Sequence, residues 1–300
     1  MLAMVLAIQE RREPMDTLTI AHLSDLHMET EPDTRFPGVR QALADGADLV
    51  KREHPDLVIV SGDLTSYGST DLSQLMEAKR WLDLLAIPYI VVPGNHDLGA
   101  NAIRGSRYPE SEWYQDTSWN STYFATVFEQ GPMVWRDMGT IRIIGLALRE
   151  GDPDGALGEL HELLARTTKP ILLFCHYPLI PVRQKGVLAA FGASEFIPDT
   201  SAALLSVIQR HPQIFLYSCG HVHAASVMAL PNGPIQISAG GFGPGPSQWW
   251  LYHMTQTELR YQSLRGAGPA SFWDRLRPEE GYTEAYHFGP PTTHYGVIQW

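Results

Sequence analysis

Four short apolar runs, and a fifth that alternates before it turns apolar, each stop abruptly at a motif carrying Asp, Asn or His. Thr17 to Leu23 leads into Asp25-Leu26-His27, and Leu57 to Val60 into Gly62-Asp63-Leu64. Tyr89 to Val92 leads into Gly94-Asn95-His96-Asp97, Ile171 to Cys175 into His176-Tyr177-Pro178, and Ile214 to Cys219 into Gly220-His221-Val222-His223. Continuous apolar runs this short, bounded by Gly, Pro or Ser, read as strands buried on both faces rather than as helices. Between the first three lie stretches of helical spacing, Arg35 to His54 (Val39, Leu43, Ala47, Val50) and Leu72 to Ala86. Strand, helix, strand, helix, strand calls for right-handed crossovers and a largely parallel sheet. Open α/β sheets place their sites at the carboxyl ends of the strands. The motifs are therefore expected to converge on one point.

The middle of the chain has a different texture. Residues 99–121 are polar and aromatic without periodicity, and read either as a surface insertion or as a substrate-gripping rim. Tyr123 to Val127, Met133 to Asp137 and Ile141 to Leu148 read as strands of a second sheet. Ala156 to Arg166 and Ala202 to Arg210 read as helices, and Ser226 to Leu230, Ile235 to Ser238, Trp249 to Met254 and Leu259 to Leu264 as antiparallel β. Residues 266–300 are rich in Pro, Gly and aromatics, a composition unlike that of disordered tails. They are taken as an ordered wrap or an arm for homo-oligomerisation. Residues 1–14 are taken as a disordered lead or an upstream start, leaving a principal domain over 15–265.

Composition narrows the partners. The formal net charge of −11 argues against a nucleic-acid polymer, which needs a basic stripe, but not against a small phosphorylated substrate. The two cysteines, Cys175 and Cys219, make no disulfide framework and read as buried thiols. Met1 to Ile8 is apolar but too short to span a bilayer, and it lacks a signal-peptide pattern; no membrane association and a cytoplasmic location are expected.

The residue types in the motifs define their chemistry. Residues two apart on a strand share a face, so Asp25 and His27, and likewise His221 and His223, are each expected to point the same way. Asp63 can bridge two cations through its two oxygens, and Asn95 adds a neutral oxygen. Mixed nitrogen and oxygen ligation suits Mn, Fe, Zn or Co. Two such ions roughly 3.5–4 Å apart clamp the attacking and leaving oxygens of an in-line displacement at phosphorus.

Taken together and in this order, the five motifs resemble those of the calcineurin-like metallophosphoesterases over roughly residues 20 to 225. That resemblance implies an α/β fold, a four-layer α/β/β/α sandwich of two mixed β-sheets flanked by helices, here with a C-terminal extension. It implies two di- or trivalent transition-metal ions. Asp25, His27, Asp63 and His223 would hold the first, and Asp63, Asn95, His176 and His221 the second. His96 would stabilise the transition state or protonate the leaving oxygen, Asp97 would orient His96, and a metal-bridging hydroxide would be the nucleophile. Within the family the chain looks most like soluble bacterial phosphodiesterases of cyclic nucleotides or glycerophosphodiesters. Phosphomonoesterase or nucleotide-pyrophosphate hydrolase activity is the alternative, with a nuclease or a non-catalytic scaffold further off. The second motif of those bacterial phosphodiesterases often reads Gly-Asp-Leu-Thr-Asp-x-Gly; here Ser66 stands where the second carboxylate would be.

The remaining candidates are weighed one by one. His22 reads as core, and His54, His161 and His211 as solvated. One of His253, His287 and His294 could approach the site. Arg104 or Arg107, just after Asn95-His96-Asp97, is a candidate contact for a substrate phosphate. Ser238 to Gly243 reads as a tight turn bordering the site, and Trp249-Trp250 as packing or as a base-stacking surface.

Overall fold

The structure is a computed structural model, which describes residues 17–32, 35–98, 118–182, 199–244, 247–268 and 284–300. In chain order the elements are β1 (Leu18–Leu23), α1 (Val39–Arg52), β2 (Leu57–Ser61), α2 (Leu72–Leu84), β3 (Tyr89–Val92) and the single turn α3 (Asn95–Leu98). Then come α4 (Tyr123–Phe128), β4 (Met133–Met138), β5 (Ile141–Leu146), α5 (Ala156–Ala165), β6 (Ile171–Cys175), α6 (Asp199–Arg210) and β7 (Ile214–Cys219). The chain finishes with β8 (Ser226–Ala229), β9 (Ile235–Ser238), β10 (Gln248–Met254), β11 (Glu258–Arg265), α7 (Glu284–Phe288) and β12 (Tyr295–Gln299).

The strands form two six-stranded sheets, ordered β12-β11-β10-β1-β2-β3 and β4-β5-β6-β7-β9-β8. Both are mixed: β1, β2 and β3 run parallel and so do β5, β6, β7 and β9, with antiparallel strands at the flanks. Alternation along each strand explains the layers. Leu57 and Ile59 of β2 face inward to meet Leu172, Phe174 and Leu216 of the other sheet. Their neighbours Val58 and Val60 face outward onto Val39 and Leu43 of α1 and Leu75, Ala78 and Leu82 of α2. The second sheet does the same, with Leu173 and Cys175 outward against Leu160 and Leu164 of α5 and Leu204 and Ile208 of α6. A strand covered on both faces has no polar side to show, which is why these runs lack alternation of polarity. The result is the four-layer α/β/β/α sandwich. Among the described residues no helix is long and apolar enough to cross a membrane.

One sequence expectation changes, and others are refined. Tyr123 to Val127 is helical, not a strand: Thr122 caps it by accepting from the Ala125 amide at 3.1 Å, and Phe124 stacks on Phe128 one turn later, with ring centroids 4.7 Å apart. An aromatic pair at i,i+4 outweighs a stretch of β-formers only once Phe124 has α2 to pack against. Strand β9 pairs antiparallel with β8 as expected, while its other neighbour β7 runs parallel to it, because the short β8 returns the chain first. The far end of the tail is a strand of this chain's own first sheet, with β12 paired to β11 and Trp300 stacked on Phe215 at 4.0 Å. Trp249 and Trp250 are core, 1% and 0% exposed, which leaves no base-stacking surface there.

Candidate metal centre

All five motifs leave the carboxyl ends of adjacent strands. Leu23 lies opposite Val60, and Ser61 opposite Val92, so Asp25, Asp63 and Asn95 step off one edge of the first sheet. Phe174 pairs with Ser218, so His176 and His221 step off the facing edge of the second. The loops are stitched to each other through the backbone: the Asp25 amide donates to the Gly62 carbonyl at 2.9 Å, His27 to Asp63 at 3.0 Å, and Gly220 to His176 at 3.0 Å.

Strand alternation does not aim these side chains. Asp25, His27, Asp63, His221 and His223 all have φ between 47° and 72°. They lie beyond the strand ends in the left-handed region, which costs a non-glycine residue on the order of 1–3 kcal/mol and persists where surroundings enforce it. Glycine enters for a different reason. A Cβ on Gly94 would collide with Asp63 Oδ1, and one on Gly62 with the His176 ring. Each of these motifs thus cradles a side chain delivered by another.

Two groups of donor atoms result. In the first, His223 Nε2 lies 3.1 Å from His27 Nε2 and 3.2 Å from Asp25 Oδ1. In the second, His176 Nε2 lies 3.2 Å from Asn95 Oδ1 and 3.0 Å from His221 Nδ1. The same oxygen, Asp63 Oδ2, is 3.3 Å from His176 Nε2 and 3.8 Å from His27 Nε2. Separations of this size are what ligands ~2.0–2.2 Å from a common ion must have. Asp25 Oδ1 is buried and accepts no hydrogen bond among the described residues. Imidazole nitrogens facing each other beside such an oxygen fit a cation better than they fit any internal hydrogen-bond pattern.

Protonation supports the fit. His176 Nδ1 lies 2.8 Å from the Ser61 carbonyl, which can only accept, so Nδ1 carries the proton and Nε2 is left to face Asp63 and Asn95. Burial holds His27 and His221 well below the imidazole range, with the other imidazoles adding to it and Asp63 opposing. Neutral rings present lone pairs. For His176 burial also lowers the pKa, but the Asp63 carboxylate, its hydrogen bond and Asp25 outweigh this and raise it to about 9. A cation bound here would therefore compete with the proton for its Nε2.

A calcineurin-like phosphoesterase family model matches residues 18–225, the stretch that carries all five motifs. The chain belongs to that family. Relatives include a protein of Arcobacter nitrofigilis named "Probable glycerophosphodiester phosphodiesterase GpdQ", 30% identical over 62% of this chain and 62% of its own length. Another, from a Synechococcus strain, is named "Probable cyclic nucleotide phosphodiesterase" and is 29% identical over 70% of this chain and 75% of its own. The chain thus spans less than two thirds of the Arcobacter relative. Among solved structures a dimetal phosphatase of Danio rerio shares the fold, with TM-score 0.59 at 15% identity over 83% of this chain and 96% of that one.

Set in this calcineurin-like fold, the sequence candidates come together with one change of role. His96 Nε2 sits 3.9 Å from Asp63 Oδ2, and its Nδ1 faces the Ser66 carbonyl at 2.9 Å. The ring is oriented by Ser66, not by Asp97. The Asp97 carboxylate instead accepts from the amides of Leu64 (2.9 Å), Thr65 (3.0 Å) and Gly94 (2.9 Å) and from the Thr65 hydroxyl (2.7 Å). It fastens the loop of Asp63 to that of Asn95. His27, Asp63 and His96 also lie close enough to share an ion, so the geometry admits His96 as a ligand too.

Of the other histidines, His22 is buried in the core, bonded to Tyr252 and Ser61 at 2.9 Å each. His287 of the tail approaches the centre, its Nδ1 3.2 Å from the His223 carbonyl. Arg104 and Arg107 lie outside the described residues. Two groups had no signal in the sequence, Glu29 and Arg35. Glu29 is buried and accepts from the amides of Arg35 and Phe36 at 3.1 Å each and from the Ser66 hydroxyl at 2.8 Å. Only the fold places those partners together.

Proposed function

We propose that this chain is a metal-dependent phosphodiesterase with a two-ion centre, hydrolysing a small phosphodiester of the cyclic-nucleotide or glycerophosphodiester type. The observation that carries it is the single oxygen of Asp63 shared between two donor groups. Asp25, His27 and His223 with Asp63 would hold one ion; Asn95, His176 and His221 with Asp63 the other. Bound ions would supply charge to the phosphoryl oxygens and a nucleophile from water at neutral pH.

The protein's own residues do the rest. Asp97 keeps the Asp63 and Asn95 loops in register, Ser61 fixes the tautomer of His176, and Ser66 fixes the tilt of His96. Burial lowers the His96 pKa to about 4, against the pull of Asp63, so the ring is neutral until an anionic substrate arrives beside it. The approaching phosphoryl group raises its basicity, so the ring takes up a proton from solvent at Nε2 and passes it to the departing oxygen. The names of the bacterial relatives favour a diester over a monoester, and the net charge of −11 favours a small substrate over a nucleic acid. The test is a panel of phosphate mono- and diesters, cyclic nucleotides included, with Mn. Turnover of small diesters above monoesters is expected; faster cleavage of monoesters throughout the panel would reverse the assignment.

A further inference from the structure

Arg35 lies outside every motif, yet its charge bears on the centre. Its guanidinium stands 5.6 Å from the centre of the Phe36 ring and 5.9 Å from that of Tyr67. Phe36 in turn packs on His27 at 4.7 Å and on His223 at 6.3 Å. Tyr67 follows Ser66, whose carbonyl orients His96. The guanidinium is thus one ring-width outside the first donor group, on the side where His96 stands. Its positive charge is among those that act on both His27 and His96.

The backbone that carries Arg35 is pinned in place. The amides of Arg35 and Phe36 both donate to the buried Glu29 carboxylate, and the Ser66 hydroxyl donates to the same group. One carboxylate therefore ties the segment carrying Arg35 to the segment that sets His96. A guanidinium packed by two aromatic rings loses little freedom on binding, and its planar fork matches phosphate oxygens.

We infer that Arg35 is a substrate-binding residue whose guanidinium takes an anionic oxygen of the phosphoryl group on the His96 side of the centre. This rests on the phosphoesterase reading of the site, and the test separates the two. Inorganic phosphate is titrated calorimetrically into Mn-loaded wild type, R35A, R35Q and R35K, with Mn content and melting temperature measured on each. R35Q and R35A are expected to keep their Mn and to bind phosphate about tenfold to a hundredfold more weakly, with R35K in between. Unchanged phosphate affinity in R35Q overturns the inference, and so does loss of Mn from R35Q, which would make Arg35 a structural residue. Arg35-dependent phosphate binding by a wild type that cleaves no ester would sink the proposed function and leave the inference standing.

Discussion

At the scale of single residues, the proposed centre would separate groups that hold from groups that act. Asp63 touches both donor sets, so Asp63→Ala is expected to lose bound metal as well as turnover. His96→Ala should keep both ions and lose most turnover; equal metal loss in the two variants, measured by elemental analysis, would make His96 a ligand. Glu29 also explains Ser66. A carboxylate at position 66 would meet Glu29 where a hydroxyl now donates to it at 2.8 Å. Ser66→Asp should therefore lower stability by about 1–3 kcal/mol at neutral pH, a difference that thermal melts of the two proteins read. The candidate ligands were legible because each follows a strand and is of a metal-binding type. The left-handed backbones of Asp25, His27, Asp63, His221 and His223, the contacts of Asp97 and the clamp at Glu29 were not, since each depends on atoms far away in sequence.

Elements were legible where burial dictates them. Strands β2, β3, β6 and β7 announce themselves because both faces are covered, and α1 and α2 because one face is. The short helix α4 did not, because a single turn and a half is decided by its cap and its neighbours rather than by its own periodicity. The strands also carry a buried polar thread between the sheets. His22 of β1 bonds Ser61 of β2 and Tyr252 of β10, and Tyr252 meets Ser218 of β7 at 3.1 Å. Burial lowers the His22 pKa from 6.5 to about 3. Above pH 6.5 the ring is neutral folded or unfolded, and its contribution is intact. As pH falls from 6.5 towards 3 only the unfolded chain takes up the proton, and stability drops by up to about 1.4 kcal/mol per pH unit. Denaturant unfolding of His22→Gln should show a slope shallower by one proton over that interval; an identical slope would mean that the folded ring is protonated too.

For the whole molecule, the centre sits between two sheets and draws on both, so ion binding and folding are linked. Native protein loaded with Mn should melt at a higher temperature than the chelator-treated form, the gain growing with free metal. Because His176 is raised to about 9, loading at pH 7 should release a proton from it, and metal affinity should rise with pH up to that value. Calorimetry in buffers of different ionisation enthalpy counts the protons; a count of zero would place His176 outside the ligand set. The sandwich could be anticipated from the order of strands and helices. The closing of the first sheet by β12 could not, because an exposed edge strand at the end of a tail leaves little pattern. A last consequence comes from the glycines that receive the side chains of other motifs, Gly94 for Asp63 and Gly62 for His176. No fragment of the chain owns a complete binding pocket. An ion captured there reports that distant segments have found one another, so metal stoichiometry in a preparation is a census of its native molecules.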